Sequence, residues 1–133
     1  MNFAFIFLFL FLIKISFSFK DATPAHTALC DPGFITFGKS DGAFNIDVTY
    51  SNYLLDTISN SATMNVTCTA DTEKFASMEL NNREPRESSD DPNKQTVSLA
   101  LTCSQSDNNW KYQTIINGTL NVLDVTLVEC MQR

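Results

Sequence analysis

The sequence predicts an all-β protein, an antiparallel β-sandwich of six or seven short strands fastened by disulfides. Apolar and polar residues alternate over several short stretches, turn-forming residues separate these stretches, and no helix-like stretch exceeds a few residues. The clearest strand covers residues 96–103, where one parity carries all the bulky apolar groups. These inward positions are Val97, Leu99, Leu101 and Cys103.

The chain begins with an almost wholly apolar run at residues 2–13. Twelve residues are too few for a membrane-spanning helix, which needs about 20. Ser16 and Ser18 then provide small residues for cleavage before Phe19. We therefore predict a signal peptide at residues 1–18 and secretion, with an uncleaved signal anchor as the alternative.

Beyond the signal peptide, residues 19–29 are predicted to form a loosely held N-terminal arm, and residues 30–133 a single domain. The arm contains the only histidine, His26, which has no neighbouring cysteine, serine or carboxylate motif and is expected to be solvated. Removal of 18 of the 133 residues takes Lys14 with it and leaves eight basic against fifteen acidic side chains, a net charge of −7. That charge disfavours nucleic acid and, after signal cleavage, a membrane surface as partners.

Four cysteines lie in the domain, Cys30, Cys68, Cys103 and Cys130. An even number behind a signal peptide predicts two disulfides, because the secretory route is oxidising. The gaps between the cysteines are long, whereas zinc ligands usually come in close pairs, so no metal is expected. Four cysteines allow three pairings, and the spacing does not select among them.

The domain begins with two predicted strands, at residues 34–37 and 43–50. The first follows a turn at Asp31-Pro32-Gly33, and the second has Phe44, Ile46, Val48 and Tyr50 on its inward parity. Residues 52–61 have helix-like apolar spacing over a short distance. They are expected to form one helical turn or an irregular crossover.

Residues 62–69 return to strict alternation, with Ala62, Met64, Val66 and Cys68 inward. The outward positions include Asn65, which begins the N-glycosylation sequon Asn65-Val66-Thr67. Strand parity and sequon agree, because a glycan requires an exposed asparagine. A further strand is predicted at residues 75–80.

Residues 81–95 contain no large apolar residue, two prolines and seven charged residues. Such a segment is predicted to bury no surface, and we expect a mobile loop that is open to proteolysis at Arg83 or Arg86. Asp90, Asp91 and Asn93 offer oxygen ligands, but they lack the order of an EF-hand loop, and a solvated loop is favoured over a calcium site.

After a polar turn at residues 104–109 comes Trp110, the only tryptophan, which is predicted to be a core anchor packed against the Cys103 strand. Asn117-Gly118 predicts a hairpin tip, and Asn117 begins a second sequon. A long last strand is expected at residues 119–130. The apolar parity of that stretch slips, which predicts a bulge near Asp124.

Three pieces of the sequence carry a family resemblance: MNVTCT at residues 64–69, LALTCSQSDNNWKY at residues 99–112 and LVEC at residues 127–130. Together they resemble the nematode extracellular six-cysteine domain over Cys30 to Cys130. The family has two further cysteines, where this chain has a single Cys30 and Asn60-Ser61. The resemblance implies an extracellular domain of no established activity and no catalytic residues.

The sequence contains no catalytic motif such as G-x-S-x-G or H-E-x-x-H. We therefore expect a secreted, glycosylated module with a binding or structural role, no cofactor, and an unknown extracellular protein or glycan as partner. A small secreted inhibitor or effector is the alternative. A carboxylate-dependent hydrolase that uses Asp47, Asp56 or Glu79 is less favoured, because a small sandwich leaves little room for a deep cleft.

Overall fold

A computed structural model describes residues 29–133, so the predicted signal peptide, the predicted N-terminal arm as far as residue 28, and His26 lie outside the described residues. The described chain forms two packed β-sheets, which confirms the all-β sandwich. It has nine strands, not six or seven, because two of the predicted strands are each divided between the sheets. The elements are β1 (Thr36–Phe37), β2 (Asn45–Ile46), β3 (Val48–Asp56), β4 (Ser61–Thr69), β5 (Ala76–Leu80), α1 (Arg86–Ser89), β6 (Thr96–Ser104), β7 (Asn109–Ile116), β8 (Thr119–Asp124) and β9 (Leu127–Gln132).

The larger sheet has the strand order β3-β4-β6-β7-β8 and is antiparallel throughout. Its central pair, β4 and β6, stays in register over the whole of both strands, from Ser61 opposite Ser104 to Thr69 opposite Thr96. The predicted inward residues of both strands are buried, as strict alternation requires of a sheet with one face on the core.

The smaller sheet is built around β9. One side of β9 pairs with β5, and the other side pairs first with β1, in parallel, and then with β2. Met78, Leu80 and Val128 fill the inner face of this sheet and pack against the inner face of the larger one. The core therefore lies between β4-β6-β7 and β5-β9.

The first of the divided strands changes sheet between Ile46 and Val48. Ile46 pairs with β9 in the smaller sheet, and Val48 pairs with β4 in the larger one. The prediction of one strand at residues 43–50 is therefore wrong, and so is the burial of Phe44 and Tyr50, which are both exposed. Alternation continues across the division because both halves keep one side toward the same core.

The second division separates β8 from β9 after Asp124, so the predicted single strand at residues 119–130 is wrong. The slip in parity comes from a crossing between sheets and not from a bulge. Asn81 holds this crossing: its Nδ2 donates to Asp124 O (2.7 Å), and its Oδ1 accepts from the backbone N–H groups of Thr126 (3.0 Å) and Leu127 (2.9 Å).

Neither a helical turn nor an irregular crossover is found at residues 52–61, where β3 continues to Asp56 and a turn follows. Asn52 and Tyr53 together lie opposite Met64, and Asn52 has φ of 53°. This β-bulge shifts the parity of the strand, so that Tyr53 packs against the core and Leu54 is exposed.

Residues 81–95 were predicted to bury no surface, and this was wrong. The segment contains α1 and covers the free edge of β5, with Pro85 and Ser88 buried. The N–H groups of Ala76, Met78 and Leu80 donate to Lys94 O (2.8 Å), Ser88 Oγ (3.1 Å) and Arg83 O (2.8 Å). A polar segment docks here by satisfying strand-edge donors, which requires no large apolar side chain.

Both predicted disulfides are present, and the pairing is Cys30–Cys103 and Cys68–Cys130, with 5.7 Å between the Cα atoms of each pair. Cys68–Cys130 joins β4 to β9 and so links the two sheets. Cys30–Cys103 ties the start of the domain to the end of β6. In the chain-entropy model, loops of this length give each bridge a stabilisation of about 4 kcal/mol.

Trp110 is buried, with 1% of its surface exposed. It lies opposite Cys103 in the β6–β7 ladder, and its Nε1 donates to Asp31 O at 3.0 Å. The ring of Tyr53 packs against it at a centroid distance of 6.3 Å. The tryptophan thus joins the N-terminal turn, β3 and β7 at one end of the sandwich.

We predict that Trp110→Ala lowers the free energy of unfolding by about 3 to 5 kcal/mol, because it empties a large aromatic site in the core. A domain of this size has about 5 to 15 kcal/mol in total. Trp110→Phe is expected to be milder, since it leaves a smaller void, although it loses the bond to Asp31. Thermal unfolding followed by circular dichroism measures both variants. A melting temperature unchanged in Trp110→Ala would contradict the burial.

A second prediction concerns Asn81 and its neighbour Asn82, which both have positive φ, 48° and 61°. Replacing either by alanine introduces similar backbone strain, but only Asn81→Ala also removes the hydrogen bonds that hold the crossing between the sheets. We expect Asn81→Ala to be less stable than Asn82→Ala by about 2 kcal/mol in urea denaturation. Equal loss in the two variants would show that the side-chain bonds of Asn81 contribute nothing.

Candidate functional site

The β7–β8 hairpin extends beyond the rest of the larger sheet. β7 pairs with β6 only from Thr102 opposite Lys111 to Ser104 opposite Asn109. Its pairing with β8 continues for six residue pairs, as far as Ile116 opposite Thr119. The outer part of the hairpin is therefore a two-stranded ribbon that has β8 as its free edge.

The tip of the hairpin is the predicted two-residue turn. Asn117 and Gly118 both have positive φ, 51° and 77°, which matches the type I′ turn that suits the twist of a hairpin. Two residues connect the strands, so Ile116 and Thr119 form the first pair of the ladder. The sequence signal for this turn was sufficient, and the hairpin prediction is confirmed.

The outer face of the hairpin carries three exposed aliphatic side chains: Ile115, Leu120 and Val122, exposed by 61%, 59% and 51%. Ile115 lies directly opposite Leu120, and Val122 is two residues further along the same face. We call these three residues the hairpin surface. A contiguous exposed aliphatic group of this kind is typical of a contact site.

The hairpin surface lies in an uncharged stretch of an acidic protein. No charged residue occurs between Lys111 and Asp124. These two residues face each other at the base of the hairpin, where Lys111 also pairs with Asp107. That contact lowers the pKa of the Asp107 carboxyl, and the hydrogen bond from Lys111 is the main cause. The charges therefore neutralise one another locally and leave the ribbon beyond them electrically neutral.

The segment that contains α1 supports the hairpin from its inner side. Arg86 Nη1 donates to Ile115 O at 3.1 Å, and the Arg86 backbone N–H donates to the hydroxyl of Tyr112 at 3.3 Å. The Tyr112 hydroxyl in turn donates to Glu87 Oε2 at 2.5 Å. Burial, and then this carboxylate, raise the pKa of Tyr112 above its ordinary value. The protonated phenol therefore holds α1 against β7 throughout the physiological pH range.

Two open depressions flank the hairpin. One, of about 200 Å³, lies between the hairpin and Leu80, and the other, of about 460 Å³, lies between Ile116 and α1. The first is smaller than ordinary ligand pockets, and the second is an open groove lined mainly by polar and charged groups. This geometry suits contact with a macromolecular surface better than enclosure of a small molecule.

The outer face of the larger sheet away from the hairpin is lined by hydroxyl groups. Thr67 Oγ1 and Ser98 Oγ are 2.9 Å apart across β4 and β6, and Thr69 Oγ1 and Thr96 Oγ1 are 3.2 Å apart. Asn65 lies in the middle of this face, half-buried on a strand that is paired on both sides. By contrast, the second sequon residue, Asn117, is exposed at the hairpin tip.

The carboxylates considered for hydrolysis are not brought together. Asp47 lies beside one end of β3, Asp56 lies at the other end, and Glu79 lies in the smaller sheet opposite Glu129. Asp56 accepts hydrogen bonds from Ser59. The bond from the Ser59 hydroxyl is the main cause that lowers the pKa of the Asp56 carboxyl, and the bond from the Ser59 backbone N–H adds to it.

The calcium ligands considered in the sequence are also occupied by local contacts. Asp90 pairs with Arg86 at 2.8 Å, and Asp91 Oδ1 accepts from the Asn93 backbone N–H at 3.2 Å. Within residues 29–133, no group of three or more His, Cys, Asp and Glu side chains is placed to hold a metal ion.

Sequence reasoning did not identify the hairpin surface. It read Ile115, Ile116 and Leu120 only as the strands on either side of a turn. The available signal was that Ile115 and Ile116 make both parities apolar just before the turn, whereas a strand with one face on the core should have a polar outer parity.

The family model described as the C6 domain matches residues 30–130. This confirms the resemblance to the six-cysteine family, whose nematode origin stays a prediction. No curated protein and no solved structure matches the chain significantly. No helix within residues 29–133 has the length and hydropathy needed to cross a membrane.

Proposed function

The chain belongs to the C6 domain family, and on that premise we propose that it is a secreted, N-glycosylated extracellular module that acts by binding a protein through the hairpin surface. The observation that carries this proposal is the exposure of Ile115, Leu120 and Val122 together on one face of the hairpin. Exposed aliphatic side chains that lie together are costly in water and are kept where a partner covers them.

The extracellular location is supported by the two disulfides, which persist in oxidising compartments. The apolar run at residues 2–13 and the small residues at the cleavage position support export. On this proposal the mature chain begins near Phe19.

A binding role is favoured over catalysis. The candidate carboxylates Asp47, Asp56 and Glu79 lie apart, and the depressions beside the hairpin are open. A protein partner is favoured over nucleic acid by the net negative charge. It is favoured over a glycan because the hairpin surface offers aliphatic groups and no charged or hydroxyl side chain.

We predict that both sequons are glycosylated but differ in when they can be modified. Asn117 stays accessible in the folded domain, whereas Asn65 is accessible only before β4 pairs with β3 and β6. Protein from a eukaryotic secretory host should show two mobility steps on removal of N-glycans, and Asn65→Gln or Asn117→Gln should show one.

The difference between the sequons can be measured separately. Folded, unglycosylated domain offered to microsomal glycosyltransferase should be modified at Asn117 and not at Asn65. The absence of any mobility step in the secreted protein would contradict the glycosylation proposal, and modification of Asn65 in the folded domain would contradict the accessibility argument.

The binding proposal predicts that Leu120→Ser with Val122→Ser weakens the contact by roughly tenfold or more, as removal of central apolar contacts usually does. In the measurement, the tagged, secreted protein is mixed with extracellular material from its source and treated with a zero-length cross-linker. The amount of cross-linked product is then measured as a function of the concentration of the tagged protein. The melting temperature should change little, because both side chains are exposed.

A matched control removes the same kind of side chain elsewhere. Leu54 and Ile58 are also exposed aliphatics, by 66% and 94%, but Leu54 lies in the opposite edge strand β3 and Ile58 in the turn that follows it. Leu54→Ser with Ile58→Ser should leave the cross-linked species unchanged. Equal losses in the two double variants would indicate non-specific hydrophobic adsorption and would overturn the role of the hairpin surface.

A further inference from the structure

We propose that the partner of the hairpin surface is a second copy of this chain, joined by antiparallel pairing of the two β8 edges. This inference rests on the proposed function, because it names the partner of the same surface. The two copies would form one continuous ten-stranded sheet, with the aliphatic residues of the two hairpins in contact on its outer face.

The first argument is the direction of the backbone groups of β8. A two-residue turn makes Ile116 and Thr119 a hydrogen-bonded pair, and such pairs recur at every second position along the ladder. The intervening residues Leu120 and Val122 therefore direct their N–H and C=O groups away from β7. Each of them offers one donor and one acceptor to an added strand.

The second argument is that, within the described residues, the other sheet edges are covered, interrupted or short. Where β7 leaves β6, α1 contacts β6, and the Arg86 guanidinium donates to a carbonyl of β7. Within residues 29–133, the edge of β5 is covered by the segment at residues 81–95, and β3 is interrupted by the bulge at Asn52 and Tyr53. β1 and β2 have only two residues each. β8 is a regular edge of six residues without proline, lysine or bulge.

The third argument is self-complementarity. An antiparallel pair of identical strands is related by a two-fold axis, so the same patch serves both copies. With the axis at Asn121, Leu120 of each copy lies opposite Val122 of the other, which gives four backbone hydrogen bonds and places aliphatic on aliphatic. Asp124 then lies opposite Gly118, so the pairing brings no two charges together.

The fourth argument is electrostatic. The described chain carries fourteen acidic and seven basic residues, so two copies repel each other over most of their surfaces. The uncharged stretch between Lys111 and Asp124 is where two such molecules can approach at least cost. A strongly basic partner would find no acidic group to recognise on this stretch. Salt screens charges beyond about 8 Å at physiological ionic strength, so self-association should strengthen as salt is added.

The test is the mass of the mature, glycosylated protein by sedimentation equilibrium across the micromolar range, at low and at high salt. The expected result is a reversible shift from the monomer mass toward twice that mass, with a lower dissociation constant in high salt. A short edge gives a small interface, so micromolar affinity is expected. A monomer at every concentration and salt level would overturn the inference.

Val122→Pro distinguishes backbone pairing of the β8 edges from association through the exposed apolar side chains alone. Proline removes the outward N–H of Val122 and leaves the β7–β8 hydrogen bonds in place, because proline is tolerated on an edge strand whose N–H faces solvent. We expect this variant to weaken dimerisation at least tenfold. The control Val122→Thr keeps the N–H and the β-branched shape, and it should lose less than Val122→Pro. A dimer as strong in Val122→Pro as in the parent would overturn edge pairing.

A second variant guards against misfolding of the proline variant. Leu120→Lys with Val122→Lys places four lysines at the two-fold interface and should abolish the dimer, while Trp110 emission reports that the core is intact. An undiminished dimer in this folded variant would overturn the inference. If the parent is monomeric but its cross-linking to another protein still depends on Leu120 and Val122, this inference alone is overturned. If that dependence is also lost, the proposed function is overturned as well.

Discussion

The Cys68–Cys130 disulfide joins β4 of the larger sheet to β9 of the smaller sheet, and each sheet depends on the pairing of that strand. β4 pairs with β3 and β6, and β9 pairs with β1, β2 and β5. Between residues 29 and 133 the chain crosses between the sheets four times, so neither sheet is built from one continuous segment. A covalent bond between β4 and β9 keeps these two segments close together in the unfolded chain. It thereby lowers the conformational entropy of the unfolded state. Its contribution of about 4 kcal/mol is a large part of the 5 to 15 kcal/mol typical of such a domain.

The second disulfide determines where the hairpin is held. Cys30–Cys103 brings the start of the domain against the end of β6, and Trp110 then binds Asp31 through its indole N–H. β7 is thereby fixed at its first residues, and it leaves β6 after Lys111. The exposed ribbon beyond this point does not need its own core, because its base is anchored and α1 supports its inner side. Anchoring at one end is what lets an apolar ribbon of so few residues keep a fixed shape.

Much of this fold could be predicted from the sequence, because alternation is a local property. The inward residues of β4 and β6, the turn at Asn117-Gly118 and the burial of Trp110 all follow from residue types and spacing. The changes of sheet near Asp47 and after Asp124 did not. Alternation continues across the first of them, and at the second a slip in parity looks the same in sequence whether a bulge or a crossing between sheets causes it. The docking of residues 81–95 was also missed, because backbone hydrogen bonds to an edge leave no apolar pattern. The hairpin surface was missed for a third reason: the exposure of its side chains depends on the residue at which β7 stops pairing with β6.

The arrangement of edges also limits the size of the proposed assembly. A two-fold pairing of β8 strands uses the same edge in both copies, so the assembly is closed and offers no further β8 edge. The opposite edge of the larger sheet, β3, carries a bulge and ends at Asp56, and the β5 edge of the smaller sheet is covered. An unprotected edge strand normally risks open-ended aggregation. Within residues 29–133, β8 is a long edge that is neither interrupted nor covered, and the proposed pairing uses it once, so the proposed contact gives a dimer and not a fibre.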